Sequence, residues 1–267
     1  MPETITAAFI TGTDTGVGKT VATAAIAWAL ARQGRRVAVL KPAQTGVAPG
    51  QPGDVDFVHA ALGVDVPDAL ACPYRFREPA APLVAAQAEG AVVEVERIRQ
   101  AYQAARQRAD VVLVEGAGGL LVPLAAGWSM ADLARDLALP LVVVARPGLG
   151  TLNHTLLTVE AARARGLTVL GVVLCGWRGP VDLATRTNPA LLDALGARPL
   201  LGVLPWDAAL SVEALRLGAL RTWAPAALAP VLGGQFSAAE FLAACAAEDT
   251  PPPGAAEPAE ERHHADG

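Results

Sequence analysis

A glycine-rich segment near the start of the chain has the residue types that bind phosphate. The stretch GTDTGVGKT, residues 12–20, follows an apolar run and precedes an alanine-rich stretch. In loops of the form GxxxxGK[ST], backbone N–H groups surround phosphate oxygens, the lysine neutralises them, and the Ser/Thr hydroxyl binds Mg²⁺. Gly18, Lys19 and Thr20 fit this pattern, but the first glycine, Gly12, lies one residue early. The segment is therefore predicted to be a variant P-loop for a nucleoside triphosphate and Mg²⁺.

Two more charged residues are expected beside this loop. Lys41 ends the apolar run RVAVLK, and Glu115 ends the run DVVLVE. Lys41 is predicted to stabilise charge on a transferring phosphoryl group, and Glu115 to organise Mg²⁺. Lys19 and Lys41 are the only lysines among 21 basic residues, which indicates positions where an arginine would not serve. The alternatives are a capping lysine and an ordinary acidic turn residue.

The sequence leaves the roles of four other polar residues open. Asp54 starts a predicted helix, so it is either a third part of the Mg²⁺ site or a plain N-cap. Asp56 competes with it, although helical spacing turns Asp56 to another face. Asp14 stands inside the phosphate loop, where a carboxylate repels phosphates unless it faces Mg²⁺ or a cationic substrate. His154 is either a base or, as we favour, a packed or capping histidine.

The elements that must position these residues alternate between strands and helices. Strands are predicted at 5–11, 36–41, 110–115, 140–145, 168–175 and 199–204, and helices at 19–33, 54–62, 94–108, 130–137, 152–165 and 237–246. Residues 42–53 are predicted to be a mobile loop, and 67–90 to be irregular. The alternation predicts an α/β fold: a single P-loop NTPase-type domain with a mostly parallel β-sheet flanked by helices on both faces. Ligands of such sheets lie beyond the carboxyl ends of the strands.

Composition limits the remaining possibilities. Of the 267 residues, 52 % are hydrophobic and only 4 % aromatic, which predicts an aliphatic core. The net charge of −5 and the lack of a basic run argue against nucleic acid as a partner. The three cysteines have no metal-binding spacing, and we expect neither a signal peptide nor a membrane span, hence a cytoplasmic protein. Residues 1–248 are predicted to form the domain, and 249–267, rich in Pro, Ala and Glu, a disordered tail.

Taken in order, five motifs resemble those of the dethiobiotin synthetase family. They are GTDTGVGKT, KPAQTG, VEGAGG, GLGTLNHT and GVLPW, and the resemblance spans roughly residues 5 to 207. It implies a homodimeric P-loop enzyme of biotin synthesis that carboxylates 7,8-diaminopelargonic acid with CO₂ and closes a ring at the expense of ATP. The implied intermediates are a carbamate and a carbamic–phosphoric anhydride, so no nucleophilic Ser or Cys is expected.

The resemblance also assigns roles to individual residues. Lys41 and Lys19 are implied to be catalytic, and Thr20, Asp54 and Glu115 to hold Mg²⁺. Substrate contacts are implied for Thr45 and for a turn that the neighbouring subunit supplies, namely Gly150, Thr151, Leu152 and Asn153. The implied nucleotide-binding residues are Gly16, Val17, Gly18, Lys19, Thr20, Val21, Asp54, Glu115, Gly116, Ala117, Gly118, Cys175, Gly176, Pro205, Trp206 and Asp207.

Three departures from the family pattern affect the expected specificity. Cys175 and Gly176 stand where some members have Asn-Asp, whose amide reads adenine. A thiol cannot reproduce an amide's donor and acceptor pair, so we expect a base site that tolerates other nucleoside triphosphates. Gly16 replaces a Glu of some members, and the segment EPAAPL, residues 78–83, lacks a His that many members have.

Three other classes of protein are alternatives to this family. ATP-gated switch proteins of the partition and iron-protein group share the variant loop, but they usually have an extra lysine early in it, where this chain has Thr13 and Asp14. Amidoligases of cobalamin synthesis need a glutaminase domain for which this chain is too short. A non-catalytic nucleotide-dependent module would be favoured by loss of Lys41 or Glu115, and both are present.

Overall fold

Six parallel strands form the central sheet of the protein. The computed structural model describes residues 6–62, 71–179, 181–196, 200–216 and 237–247. The strands in chain order are β1 (Thr6–Gly12), β2 (Val37–Leu40), β3 (Ala43–Gln44), β4 (Tyr74–Arg75), β5 (Val111–Gly119), β6 (Pro123–Ala125), β7 (Trp128–Ser129), β8 (Leu141–Ala145), β9 (Val169–Trp177) and β10 (Leu200–Pro205). The main sheet has the order β10-β9-β8-β1-β5-β2, and all its neighbours pair in parallel.

Helices cover both faces of this sheet. They are α1 (Lys19–Ala31), α2 (Asp54–Leu62), α3 (Pro82–Ala88), α4 (Val95–Arg106), α5 (Met130–Asp136), α6 (Thr151–Arg163), α7 (Leu183–Ala194), α8 (Val212–Arg216) and α9 (Ala238–Ala247). Within the described ranges, none of them is long and apolar enough to cross a membrane. The predicted α/β fold with a parallel sheet between two helical layers is confirmed.

The core is divided into two apolar clusters by the sheet. Successive side chains of a strand point to opposite faces, so Phe9 joins one cluster while Ala8 and Ile10 join the other. The Phe9 face packs against α3 to α7 and includes Ala85, Ile98, Leu133, Val159 and Leu192. The Ile10 face packs against α1, α2 and α9 and includes Ile26, Phe57 and Phe241. Burial on both faces explains why the strands are apolar runs without polar alternation.

Two parts of the prediction from sequence were wrong. The segment 42–53, predicted to be loop throughout, contains β3, which pairs in parallel with β4. The segment 67–90, predicted to be irregular, contains β4 and α3, a helix that starts with Pro82 at its first turn. Proline suits that position because its missing N–H has no partner in a first turn. The predicted tail, 249–267, lies outside the described residues.

Helix α7 had no counterpart in the prediction because Pro189 stands inside it. A helix cap and a contact with a distant loop stabilise it nevertheless. The side chain of Asp182 caps the helix by accepting a hydrogen bond from the backbone N–H of Thr185 at 2.6 Å. The buried amide of Asn188 donates to the carbonyl oxygens of Pro147 and Gly148, at 2.9 and 3.1 Å, in the loop after β8. Tertiary contacts therefore override the weak helical signal.

Candidate active site

The phosphate loop connects the central strand β1 to α1. The strand ends at Gly12 and the helix begins at Lys19. Gly16 and Gly18 have φ angles of 71° and 95°, in the left-handed region that favours glycine. The Nζ atom of Lys19 donates to the carbonyl oxygen of Asp14 at 2.9 Å, so the lysine folds back over the loop. Backbone N–H groups at a helix N-terminus and this ammonium together make an anion-binding site.

Lys41 lies at the centre of a charged cluster next to the loop. The side chain of Lys41 is almost completely buried, and its Nζ pairs with Asp54 Oδ2 at 2.5 Å and with Glu115 Oε1 at 2.8 Å. It also donates to the carbonyl oxygen of Gly116 at 3.3 Å. The hydroxyl of Thr20 donates to the same Oε1 of Glu115 at 2.9 Å. The structure thus brings together four side chains that the sequence analysis selected separately.

The two lysines of the site differ in their electrostatics. Burial lowers the pKa of Lys41, but the carboxylates of Asp54 and Glu115 raise it more, so its net pKa lies above the ordinary value. Burial, followed by the charge of Lys41, lowers the pKa of Lys19 to about 8. Lys41 is therefore charged at neutral pH. Lys19 has fewer compensating contacts, and an anion bound beside it would favour its charged form.

Asp54, rather than Asp56, faces Lys41. Burial raises the pKa of Asp54, but the charge and hydrogen bond of Lys41 lower it below its ordinary value overall. Asp56 turns away and accepts hydrogen bonds from the backbone N–H of Gly53 and from the guanidinium of Arg75. A cleft of about 660 Å³ beside Asp56 contains none of the predicted site residues. The expectation that helical spacing separates the two aspartates agrees with these contacts.

The residues at Thr20, Asp54 and Glu115 fit a Mg²⁺ ion. Glu115 is buried, and its Oε2 has no hydrogen-bond partner among the described residues, so one carboxylate oxygen remains available. Mg²⁺ in nucleotide sites usually takes one or two carboxylates, with waters and phosphate oxygens completing its shell. No group of three or more His, Cys, Asp or Glu suited to a metal occurs in the described part of the chain. A hydroxyl and two carboxylates match a metal that is shared with a nucleotide.

A cavity of about 740 Å³ adjoins the phosphate loop on the side of β9 and β10. Nine of the predicted nucleotide-binding residues line it: Gly16, Val17, Gly18, Val21, Cys175, Gly176, Pro205, Trp206 and Asp207. Six further lining residues were not predicted: Ala208, Ala209, Leu210, Ser211, Glu213 and Ala214. They belong to the connection after β10 and to α8, which have no recognisable motif. The cavity lies at the carboxyl edge of the sheet, where ligands of parallel sheets bind.

Cys175 lines this cavity next to Gly18. Burial raises the pKa of its thiol from the ordinary 9.0 to about 12. Because the folded pKa lies above the unfolded one, the protonated thiol contributes stability that is fully present below pH 9.0 and lost as the pH rises toward 12. We therefore expect slow alkylation of Cys175 by iodoacetamide at pH 8 in the native protein. Peptide mass spectrometry checks this, with the urea-unfolded chain as control, and equal labelling of both forms would contradict it.

Arg146 explains the carboxylate inside the phosphate loop. Its guanidinium donates to Asp14 Oδ2 at 3.1 Å, while Asp14 Oδ1 accepts from the backbone N–H of Thr15 at 2.7 Å. Arg146 follows β8, the neighbour of β1, which places it at the same edge of the sheet. Arg146 was not among the predicted site residues. Its position directly after an apolar strand run was its only signal in the sequence.

Some predicted residues do not join the charged cluster. The turn formed by Gly150 to Asn153 starts α6. It is not among the hydrogen-bond partners of Lys41 or the residues that line the 740 Å³ cavity. Thr151 is buried, whereas Asn153 and His154 are exposed. Thr45 lies close to Lys41 in sequence and is half-buried. Its carbonyl oxygen accepts a hydrogen bond from the Gln44 side chain. The assigned roles of these residues stay predictions.

The glycines after Glu115 allow close approach of the backbone. A Cβ atom at Gly116 would lie 2.8 Å from a ring carbon of Phe9, and one at Gly118 would lie 2.7 Å from the side chain of Val122. Ala117 between them is buried. Gly116 therefore packs tightly against β1, whose Ile10 pairs with Glu115.

The parallel sheet, the phosphate loop after its central strand and the paired lysine and carboxylates define a P-loop NTPase. Residues 6–214 match the family described as an AAA domain. A protein of Frankia casuarinae is 47 % identical over 241 residues, which is 90 % of this chain and 98 % of that protein. One of Saccharopolyspora erythraea is 50 % identical over 229 residues, 85 % of this chain and 97 % of that protein. Both are named ATP-dependent dethiobiotin synthetase BioD, and the chain belongs to this family.

Solved structures resemble the chain in fold. A ParA family ATPase from Chlorobium tepidum gives a TM-score of 0.55 at 15 % identity. The match covers 86 % of this chain and 97 % of that ATPase. The cell division ATPase MinD of Pyrococcus furiosus gives 0.53 at 19 % identity, with 92 % and 98 % covered. At such identities the likeness concerns the fold alone. The family therefore rests on the sequence relatives.

Proposed function

We propose that this chain makes dethiobiotin from 7,8-diaminopelargonic acid and CO₂ at the expense of ATP. The two relatives are named for this activity, and this chain matches them over 98 % and 97 % of their lengths. The observation that carries the proposal is the contact of Lys41 with Asp54 and Glu115 directly beside the phosphate loop. Such a cluster suits phosphoryl transfer, in which positioning and charge neutralisation do most of the catalysis.

The proposed reaction has three steps. One amine of the substrate attacks the carbon of CO₂, forms a C–N bond and loses a proton to solvent, which gives a carbamate. A carbamate oxygen then attacks the γ-phosphorus of ATP, whose bond to the β–γ bridging oxygen breaks and releases ADP. The second amine attacks the carbonyl carbon of the resulting anhydride, closes the ring, expels phosphate and loses a proton. No covalent bond to the protein is formed.

The charged side chains have distinct proposed roles. Lys41 is held rigidly by two carboxylates and stabilises negative charge on the carbamate and the γ-phosphoryl group. Lys19 neutralises the phosphates from within the loop. Thr20, Asp54 and Glu115 would hold Mg²⁺, which supplies neutralisation of phosphate charge when bound. Gly116, Ala117 and Gly118 pack beside the nucleotide phosphates.

A homodimer would complete the substrate site. We propose that Thr45 contacts the diamine and that Gly150, Thr151, Leu152 and Asn153 of the second copy receive the substrate carboxylate. The exposed N–H groups of a helix N-terminus favour a carboxylate. Leu149 and Leu157, beside and within α6, are 87 % and 56 % exposed, and an interface between copies would cover them. We place the enzyme in the cytoplasm, acting on small molecules without a membrane or nucleic acid.

Phosphate release is the direct test. Purified protein is supplied with Mg²⁺, ATP and bicarbonate, with and without 7,8-diaminopelargonic acid, while dethiobiotin is quantified by mass spectrometry. We expect phosphate release only with the diamine and dethiobiotin in equal amount. Hydrolysis of ATP at the same rate with and without the diamine would instead favour an ATP-gated switch protein. Switch proteins usually have an extra lysine early in the phosphate loop. In this chain Asp14 stands in that region and pairs with Arg146, which supports an enzyme over a switch protein.

Base preference provides a separate prediction. The nucleotide cavity has the Cys175 thiol where an amide would read adenine, so we expect ATP, CTP and GTP to support dethiobiotin formation with kcat/KM values within about a hundredfold. Replacing Cys175 with Asn introduces an amide and should shift this ratio toward ATP. Competition assays with the three nucleotides measure it. A preference of the wild type for ATP above a hundredfold would contradict a tolerant site.

A further inference from the structure

We propose that Trp206, held in place by Arg178, is the wall on which the nucleotide base stacks. This inference rests on the proposed nucleotide site and adds a positioning residue, Arg178, to it. Neither the fold nor the phosphate loop requires such a pair. The indole provides the recognition surface, and the guanidinium fixes its orientation.

The ends of two paired strands place these residues side by side. Pro205 at the end of β10 pairs with Trp177 at the end of β9. The backbone N–H of Trp206 donates to the carbonyl oxygen of Trp177 at 2.8 Å, which extends the pairing by one residue. Arg178 and Trp206 therefore leave the sheet together, at its carboxyl edge, where ligands of parallel sheets bind.

The guanidinium of Arg178 lies against the indole of Trp206, which lines the cavity. The Cζ atom of Arg178 lies 3.8 Å from the ring centroid of Trp206, well within cation–π distance. Trp206 lines the 740 Å³ cavity and is 50 % exposed, whereas Arg178 is not among the described lining residues. A large aromatic surface that stays half-exposed although it is anchored on one side is suited to receive a flat ligand.

Polar side chains near the indole are already engaged with the backbone. Oδ1 of Asp207 accepts from the N–H of Ala209 at 2.9 Å. The hydroxyl of Ser211 donates to the carbonyl of Ala208 at 3.0 Å and accepts from the N–H of Ala214 at 3.1 Å. Stacking on the indole does not depend on these polar groups. It tolerates any base because each base has a π-face.

The test compares ligands with and without a base. Calorimetry measures the Kd of ADP and of inorganic triphosphate for the wild type and for Trp206→Leu, Trp206→Phe and Arg178→Met. We expect Trp206→Leu to weaken ADP about tenfold and Trp206→Phe about threefold or less, with triphosphate unchanged. Arg178→Met should weaken ADP about threefold and raise the KM for ATP more than it lowers kcat. Arg32→Met, which removes a similar surface pair with Trp28, is the matched control.

The outcomes separate this inference from the proposed function. Equal ADP binding by wild type and Trp206→Leu would overturn the stacking wall while leaving the nucleotide site in place. Equal weakening of ADP and triphosphate would also overturn it, because the change would then act through the phosphate loop. A wild type that binds neither ligand would refute the nucleotide site itself.

Discussion

Replacing Lys41 with Met is expected to lower kcat/KM for dethiobiotin formation by about a hundred- to a thousandfold. The ammonium is preorganised by Asp54 and Glu115, at 2.5 and 2.8 Å, in a buried position. Removal of one such preorganised charge donor typically costs about 10² to 10³ in kcat. The effect should be larger on kcat than on the Kd of ADP, since the loop around Lys19 stays intact.

The same change should destabilise the fold. It leaves the buried carboxylate of Glu115 without its cation, and breaking a buried pair in this way costs about 3–5 kcal/mol. Lys41→Met combined with Glu115→Gln removes the fully buried ion pair and leaves only the more exposed carboxylate of Asp54 without its cation. The double variant should recover much of the free energy of unfolding but none of the activity.

Urea unfolding and steady-state kinetics on Lys41→Met, the double variant and Lys41→Arg test both effects. Lys41→Arg is the conservative control, because its wider guanidinium keeps the charge but does not fit the same enclosed position. Activity of Lys41→Met within tenfold of the wild type would show that this ammonium does not stabilise the reacting groups. A double variant less stable than Lys41→Met would show that the pair with Glu115 is not the source of the loss.

Replacing Gly18 with Ala is expected to disrupt the phosphate loop. Gly18 has a φ angle of 95°, and a Cβ atom there would lie 2.3 Å from the Sγ of Cys175. The left-handed conformation costs an L-residue about 1–2 kcal/mol. Overpacking adds about 1–3 kcal/mol, and the loop must shift because the atoms in contact belong to a short, buried side chain. Nucleotide binding should fall together with stability.

Gly16→Ala is the matched control within the same loop. Its φ angle is 71°, but nothing lies within 4 Å of an added Cβ. It should therefore show the backbone strain alone, about 1–2 kcal/mol. Cys175→Gly removes both atoms that the Gly18→Ala methyl group meets, so it should partly restore ADP binding to that variant. Thermal unfolding and ADP calorimetry measure these differences, and an equal loss in the two glycine variants would exclude the contact with Cys175 as the cause.

Local patterns were sufficient for the parallel sheet and the phosphate loop. The strands that form the sheet are apolar runs because both of their faces are buried, and this property is visible in the sequence. Lys41 and Glu115 were also recognisable, because charged residues at the ends of such runs must emerge at one edge of the sheet. Order along the chain thus predicted which chemistry meets at the site.

Contacts between distant segments were not predictable in this way. Helix α7 contains a proline, and the amide of Asn188 stabilises it through a loop that lies 40 residues away in sequence. Strand β3 exists only because it pairs with β4. Both depend on partners whose distance in the fold cannot be read from periodicity.

The sequence alone determined the class of fold, the phosphate loop and the charged residues around it, since each follows from local pattern and from strand ends. The tertiary structure alone decided which groups neutralise one another. It paired Asp14 with Arg146 and Asp56 with Arg75, and it placed Arg178 against Trp206. The physical reason is that the partner of a charge or a ring is set by the packing of remote elements, whereas strand burial is set by neighbours along the chain.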